Sequence, residues 1–150
     1  TSPDDVYGHK KIKQAVKPIK VATGEMCQNR IMFKQFIQQD ALDIVQIDSC
    51  RIGGLNEVLG VLLLAHKYQK PVWPHAGGVG LCEYVQHISM IDYLLISCEK
   101  NSKRIEYVDH LHEHFINPCQ INDGKYMAPS EPGFSIQMKP ETFNNFLYLK

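Results

Sequence analysis

Four ionisable residues, Glu25, Asp48, His75 and Glu106, each close a short apolar run, and the intervals between them are 23, 27 and 31 residues. Asp48 and His75 carry the clearest chemistry as a pair. A carboxylate that accepts from one imidazole nitrogen fixes the tautomer, raises the basicity of the ring and leaves the other nitrogen for proton transfer. Glu25, just after Gly24, reads on its own as a solvated loop charge or as a ligand. Gly77-Gly78-Val79-Gly80 behind His75 allows a phosphate-cradling turn at a helix N-terminus or, more plainly, backbone room beside the imidazole. No Gly-Lys-Ser/Thr follows, which excludes a P-loop. Gly53-Gly54, after Asp48-Ser49-Cys50-Arg51, admits the same two readings. His110, His112 and His114 raise a zinc hypothesis, because alternate residues share a strand face and His110 with His114 could share a helix face. Neither Cys-x-x-Cys nor His-Glu-x-x-His accompanies them, so a solvated or locally hydrogen-bonded segment is the expectation.

The elements that must position these groups follow from periodicity. Strands are predicted at Ile19 to Ala22, Asp43 to Ile47, Pro71 to Trp73 and Arg104 to Tyr107. A helix is predicted from Asn29 to Gln39, with Ile31, Met32, Phe36 and Ile37 inward, and a second from Leu55 to Tyr68, apolar on nearly all sides and therefore buried. A third starts near Val79 and turns Leu81, Tyr84, Val85, Ile88 and Met90 to Ile91 inward. Strand alternating with helix means a parallel sheet, in an open doubly wound form or a closed (β/α)8 barrel. In a barrel the C-terminal strand ends meet at one mouth, so the four strand-end residues could surround one site. A barrel of about 250 residues has about 31 per strand-helix unit, so four units fill this chain with half a barrel. Residues 1–116 are taken as that half. Residues 117–150 form a tail with an Asn122-Asp123-Gly124 turn and a closing apolar group, Phe143, Phe146, Leu147 and Leu149, that needs a surface to cover.

Composition narrows the function. Hydrophobic residues are 44% and charged residues 21% of the 150, and 16 Lys+Arg balance 16 Asp+Glu, which argues against disorder and against a nucleic-acid footprint. The longest apolar stretch, Val61 to Ala65, is far short of the roughly 20 residues of a membrane span. Cys27, Cys50, Cys82, Cys98 and Cys119 are odd in number and widely spaced, as expected of thiols in a reducing compartment rather than of a disulfide framework or a zinc ribbon. No charged-then-apolar leader follows Thr1.

Four segments together carry a resemblance: Val21-Ala22-Thr23-Gly24-Glu25; Gln46-Ile47-Asp48-Ser49-Cys50-Arg51-Ile52-Gly53-Gly54; Pro74-His75-Ala76-Gly77-Gly78-Val79-Gly80-Leu81; and Glu106-Tyr107-Val108-Asp109-His110-Leu111. They resemble the mandelate-racemase branch of the enolase superfamily, and within it the L-fuconate dehydratases. The resemblance implies strands five to eight of the barrel, with the tail packing toward an N-terminal capping domain. It implies a hydro-lyase that abstracts the proton α to a carboxylate and eliminates water through a Mg2+-stabilised ene-diolate, giving a 2-keto-3-deoxy acid. Glu25 would be the third carboxylate ligand of the Mg2+ and border the substrate, Asp48 and His75 the catalytic dyad. Glu106 would face the substrate carboxylate as a protonated donor or electrostatic partner. The family's Lys-x-Lys and its first two metal carboxylates have no match here, and the second of those carboxylates is expected just upstream of Thr1. One carboxylate holds Mg2+ poorly, so these residues alone are expected to be inactive. The alternative is a non-catalytic truncated isoform that acts through protein interaction at its open strand edges. The resemblance further implies a small acid-sugar substrate, no nucleic-acid or membrane partner, a possible homo-oligomer of the full-length protein, and a mitochondrial location, with the cytoplasm as the alternative.

Overall fold

A computed structural model of the chain describes residues 1–101 and 103–147. Elements run in the order α1 (Val6–Ala15), β1 (Ala22–Thr23), α2 (Arg30–Gln38), β2 (Ile44–Val45), α3 (Leu55–Lys67) and α4 (Leu81–Ile91). Helix α4 continues into a π-helical turn, Asp92–Ser97. A 3-10 turn (His112–His114), the hairpin β3 (Ile121–Asn122) and β4 (Lys125–Tyr126), and α5 (Pro140–Phe146) complete the order.

The sheet is parallel and shorter than periodicity suggests. β1 pairs with β2 in the register Ala22↔Ile44 and Thr23↔Val45, so the first strand starts only at the last residue of the predicted run, and Ile19 is left exposed. The run at Pro71 to Trp73 joins β2 through a single parallel bridge, Val72↔Val45, but its hydrogen bonds continue. The Val45 N–H donates to Pro71 O, the Trp73 N–H to Val45 O and the His75 N–H to Ile47 O, at 2.9, 2.9 and 3.0 Å. Arg104 to Tyr107 is not a strand. It touches the third run through one bond, from the Glu106 N–H to Pro74 O at 3.4 Å. Trp73 and His75 donate toward β2, so the alternate positions 72 and 74 face the fourth run, and Pro74 has no N–H to give it. The described residues therefore form an arc of successive parallel strands and no closed barrel.

Helices pack on the outer side of this arc. Asn29 caps α2, its side chain accepting from the N–H groups of Ile31 and Met32. The inward face of α2 is Phe33, Phe36 and Ile37, spaced three and four residues apart, and not Ile31, which is 54% exposed. Phe33 takes the inward place because it fills the space between α2 and Gly24, where its ring lies against the strand exit. Helix α3 buries Val58, Val61, Leu62 and Ala65 but leaves Leu63 exposed, so it is amphipathic and not buried all round. In α4, Leu81, Val85 and Ile88 are buried as their spacing predicts, while Val79 stays outside the helix and exposed. The faces of α2 and α3, with Ile88 of α4, meet Leu42, Val45, Ile47 and Val72 in the main core, while Leu81 and Val85 form a second cluster with Ala76 and Cys82. Among the described residues no helix is long and apolar enough to cross a membrane.

Three pieces lie outside the strand-helix alternation, the first of them at the turn that Asn122-Asp123-Gly124 predicts. The tail hairpin turns at Asp123-Gly124, both at positive φ, the backbone that a two-residue hairpin loop requires. Segment 114–116 pairs with 137–139 through the bridge Phe115↔Met138, and Phe134 packs on Tyr84 and His87 of α4. Phe143, Phe146 and Leu147 are exposed, and Leu149 lies outside the described residues. Helix α1 is the third piece. It is anchored through Lys13, whose buried ammonium donates to Leu42 O and pairs with Asp40 and Asp43 at 2.6 and 3.0 Å. Burial pulls the Lys13 ammonium down, but the bonds from Asp40 and Asp43 outweigh it and hold it above its usual range. Asp40 is held low by Lys13 first and Lys70 second.

Lys13→Met is expected to destabilise the fold by about 1–2 kcal/mol at neutral pH, read from the urea midpoint, because it removes the donor from two carboxylates and a buried carbonyl. A carboxyl whose pKa is lower folded than unfolded stabilises above the unfolded value and loses that contribution as pH falls through the folded one. The penalty is therefore expected to shrink as pH drops below the ordinary Asp range. A penalty that grows in acid would contradict this assignment.

Candidate active site

The exits of β1 and β2 and the fourth run bring three of the sequence-predicted residues, Glu25, Asp48 and Glu106, around the imidazole of the other, His75. Glu25 leaves β1 through Gly24, which has φ +128°, and a Cβ there would sit 2.8 Å from Gln46 O and 2.6 Å from the Phe33 ring. Only glycine lets the chain turn this close to the neighbouring exit. Asp48 follows β2 and is buried. Its Oδ1 accepts the N–H groups of Cys50 and Arg51 at 2.7 and 3.3 Å, a local turn in which the side chain caps its own loop. Its Oδ2 lies 3.1 Å from Nδ1 of His75. A carboxylate only accepts, so the Nδ1 proton belongs to the ring and Nε2 faces the mouth.

Nε2 lies 2.9 Å from Glu25 Oε2 and 3.7 Å from Glu106 Oε2. Glu106 also accepts the Ala76 N–H at 2.7 Å, which ties the fourth run to the loop after His75 although no ladder forms. A Cβ at Gly77 would come within 2.7 Å of Nε2, so the glycine leaves space at the reactive nitrogen. Glu25 and Glu106 have half-open side chains, at 47% and 39% exposure, whereas His75 and Asp48 are at 17% and 8%. The arrangement is a buried Asp48 holding a half-buried His75 with one accessible nitrogen, with two reachable carboxylates beside it. It can move a proton to or from a small ligand resting on the mouth.

The three-histidine segment does not converge. His112 meets Glu83, with Nδ1 2.5 Å from Oε1, and His114 meets Thr142 at 3.2 Å and packs edge-on to Phe146. His110 joins neither. Sequence reasoning missed Tyr126, whose hydroxyl donates to Glu106 O at 2.6 Å. It also missed Cys82, whose thiol is drawn well below the usual range, chiefly by a hydrogen bond from Cys119. Both contacts span 20 residues or more in sequence, and no local spacing signals them.

A parallel strand-helix arc with polar groups gathered at its C-terminal ends is the layout of part of a (β/α)8 barrel. The chain belongs to the enolase C-terminal domain-like family, whose profile matches residues 1–142. It is 59% identical to L-galactonate dehydratase of Hypocrea jecorina over 150 residues, 99% of this chain and 33% of that protein. The crystal structure of human mitochondrial enolase superfamily member 1 superposes with a TM-score of 0.91 at 54% identity, over 95% of this chain and 33% of that one. L-talarate dehydratase from a Polaromonas species, complexed with Mg and L-glucarate, gives a TM-score of 0.75 at 22% identity, over 95% and 37% of the two chains, and shows the fold alone. The chain spans about a third of the length of the curated relatives it matches. Its fold is accordingly the C-terminal half of a (β/α)8 barrel with a tail.

Proposed function

We propose that the chain supplies the proton-transfer face of an acid-sugar dehydratase that converts a sugar acid of the L-fuconate or L-galactonate kind to a 2-keto-3-deoxy acid. The observation that carries this is the His75 ring, held at Nδ1 by buried Asp48 while Nε2 faces Glu25 and Glu106 at the strand exits. Its resemblance to the L-fuconate dehydratases and its identity to an L-galactonate dehydratase support the substrate class.

In the elimination the α C–H bond breaks, its electron pair forms the new double bond, and the β C–O bond breaks as the hydroxyl leaves. The resulting enol ketonises. Hydroxide is a poor leaving group, so a proton must reach it as the bond breaks. His75 Nε2 makes that delivery, since both ring contacts are donor bonds together only in the imidazolium form. Asp48 keeps Nδ1 protonated and the ring oriented. The base for the α-proton falls to the Lys-x-Lys that the family resemblance puts outside these residues. Glu106 orients the loop at Ala76 and faces the substrate carboxylate.

Glu25 is the residue suited to a Mg2+ ion: it is a hard oxygen donor, half exposed, at the mouth. Asp48 has both oxygens engaged, while Glu25 and Glu106 each have one facing a donor; Glu25, the more exposed of the two, is the ligand these residues offer, and the rest of the set is left to others. When bound, the ion offsets the negative charge that develops on the substrate carboxylate as the α-proton leaves. The location proposed is the mitochondrion, by likeness to relatives named for it, and the exposed tail residues Phe143 and Phe146 are proposed to face the capping domain.

The test is keto-acid formation by the full-length protein from a panel of sugar acids that includes L-fuconate and L-galactonate, with Mg2+ present. Turnover of at least one is expected, and none by residues 1–150 alone. Absence of keto acid from the whole panel with full-length protein would sink the reading.

A further inference from the structure

Cys82, His112 and Cys119 come from three separate stretches of chain, the first turn of α4, the 3-10 turn and the tail, yet their donor atoms all lie within 4.8 Å of one another. We propose that these three side chains bind a zinc ion that fastens the tail and the segment carrying Glu106 to α4. Two thiolates and an imidazole are the donor set zinc takes in both structural and catalytic sites, whereas Mg2+ takes oxygen. Tetrahedral bonds of about 2.0–2.3 Å place ligand atoms about 3.3–3.8 Å apart, so a contraction of about 1 Å closes the set.

Glu83 is the independent observation. It is fully buried, yet its Oε2 has no hydrogen-bond partner among the described residues. Its Oε1 lies 2.5 Å from His112 Nδ1 and accepts the Cys119 N–H at 3.3 Å. A buried carboxylate with an unanswered oxygen is costly unless positive charge stands close by. Nδ1 is also the ring nitrogen that lies 3.8 Å from Cys119 Sγ, while Nε2 lies 2.9 Å from Val108 O, so the backbone carbonyl orients the ring from behind and Nδ1 is the atom that would meet the metal in place of its contact with Glu83. The fourth position would be filled by water or by Glu83 itself.

The site connects to the strand exits through the backbone. Cys82 Sγ accepts the Val108 N–H at 3.4 Å, two residues beyond Glu106, and Tyr126 donates to Glu106 O. Nothing in this inference depends on the sugar-acid reading, because its readout is metal content.

The full-length protein, expressed with zinc and purified with a non-thiol reductant, is expected to hold about one zinc per chain by elemental analysis, and Cys82→Ser or Cys119→Ser less than about a tenth of that. Cys98→Ser, at an exposed cysteine that is not part of the cluster, is expected to keep its zinc. If the variants fold poorly, wild-type protein stripped by chelator and titrated with Co2+ decides the matter: thiolate-to-cobalt charge transfer with tetrahedral d–d bands supports the site. Zinc-free wild-type protein that develops no such bands overturns it, as does a Cys82–Cys119 disulfide in the reduced preparation or equal zinc loss in Cys98→Ser.

Discussion

His75→Asn in the full-length protein is expected to lower kcat for sugar-acid dehydration by about 10³-fold while KM moves little, because the side chain acts on the leaving group and not on substrate binding. Asparagine can still present an N–H toward Asp48 Oδ2, so the buried carboxylate keeps a donor and the fold should hold. What disappears is the second ring nitrogen, which faces Glu25 and Glu106 at the mouth. The role can be isolated with a substrate whose β-hydroxyl is replaced by fluoride, a group that departs without first taking a proton. On that analogue the loss should shrink to about tenfold or less, since general-acid help is no longer required. An equal loss on both substrates would remove His75 from the leaving-group step, and a kcat within tenfold of wild type on the natural substrate would remove it from the chemistry.

Whether a residue could be read from sequence depended on whether its neighbours in space were fixed by local periodicity. Glu25, Asp48, His75 and Glu106 each follow an apolar run at near-constant interval, and parallel pairing of successive runs brings such positions to one edge whatever the details of the ladder. The fourth run shows the limit: Arg104 to Tyr107 has strand composition, but its pairing depends on Pro74, thirty residues earlier, which has no proton to donate. The inward face of α2 was misjudged for a related reason. Ile31 and Phe33 are both apolar, and the choice between them was made by Gly24 on another element, which leaves room for one aromatic ring. Lys13 looks like a solvated charge in sequence, and only Asp40 and Asp43, in the loop between α2 and β2, turn it into an anchor. The cluster of Cys82, His112 and Cys119 is the extreme case, since three segments with no shared spacing motif meet only after α4 and the tail have folded together.

Asp48→Asn separates positioning from mere packing at the dyad. Oδ1 of Asp48 accepts two backbone N–H groups, from Cys50 and Arg51, and an amide must keep its oxygen on that side to avoid leaving both unsatisfied. Its NH2 then points at Nδ1 of His75, where Oδ2 stood 3.1 Å away. Two donors cannot share one bond, so Nδ1 becomes an acceptor and the neutral ring carries its proton on Nε2. In that state His75 has no acceptor site at the mouth and cannot be recharged there without breaking the new bond. The expected result is a loss of about 10²–10⁴-fold in kcat, with KM and the urea midpoint close to wild type. Asp48→Ala provides the contrast. It strips the caps from Cys50 and Arg51 as well, and should cost about 1–3 kcal/mol of stability in addition to activity. The profile of kcat against pH distinguishes the two roles: Asp48→Asn should abolish or displace the limb that reports the His75 ring, whereas a purely structural Asp48 would leave its position unchanged. Retention of that limb together with a kcat within tenfold of wild type would show that Asp48 does not set the protonation of His75.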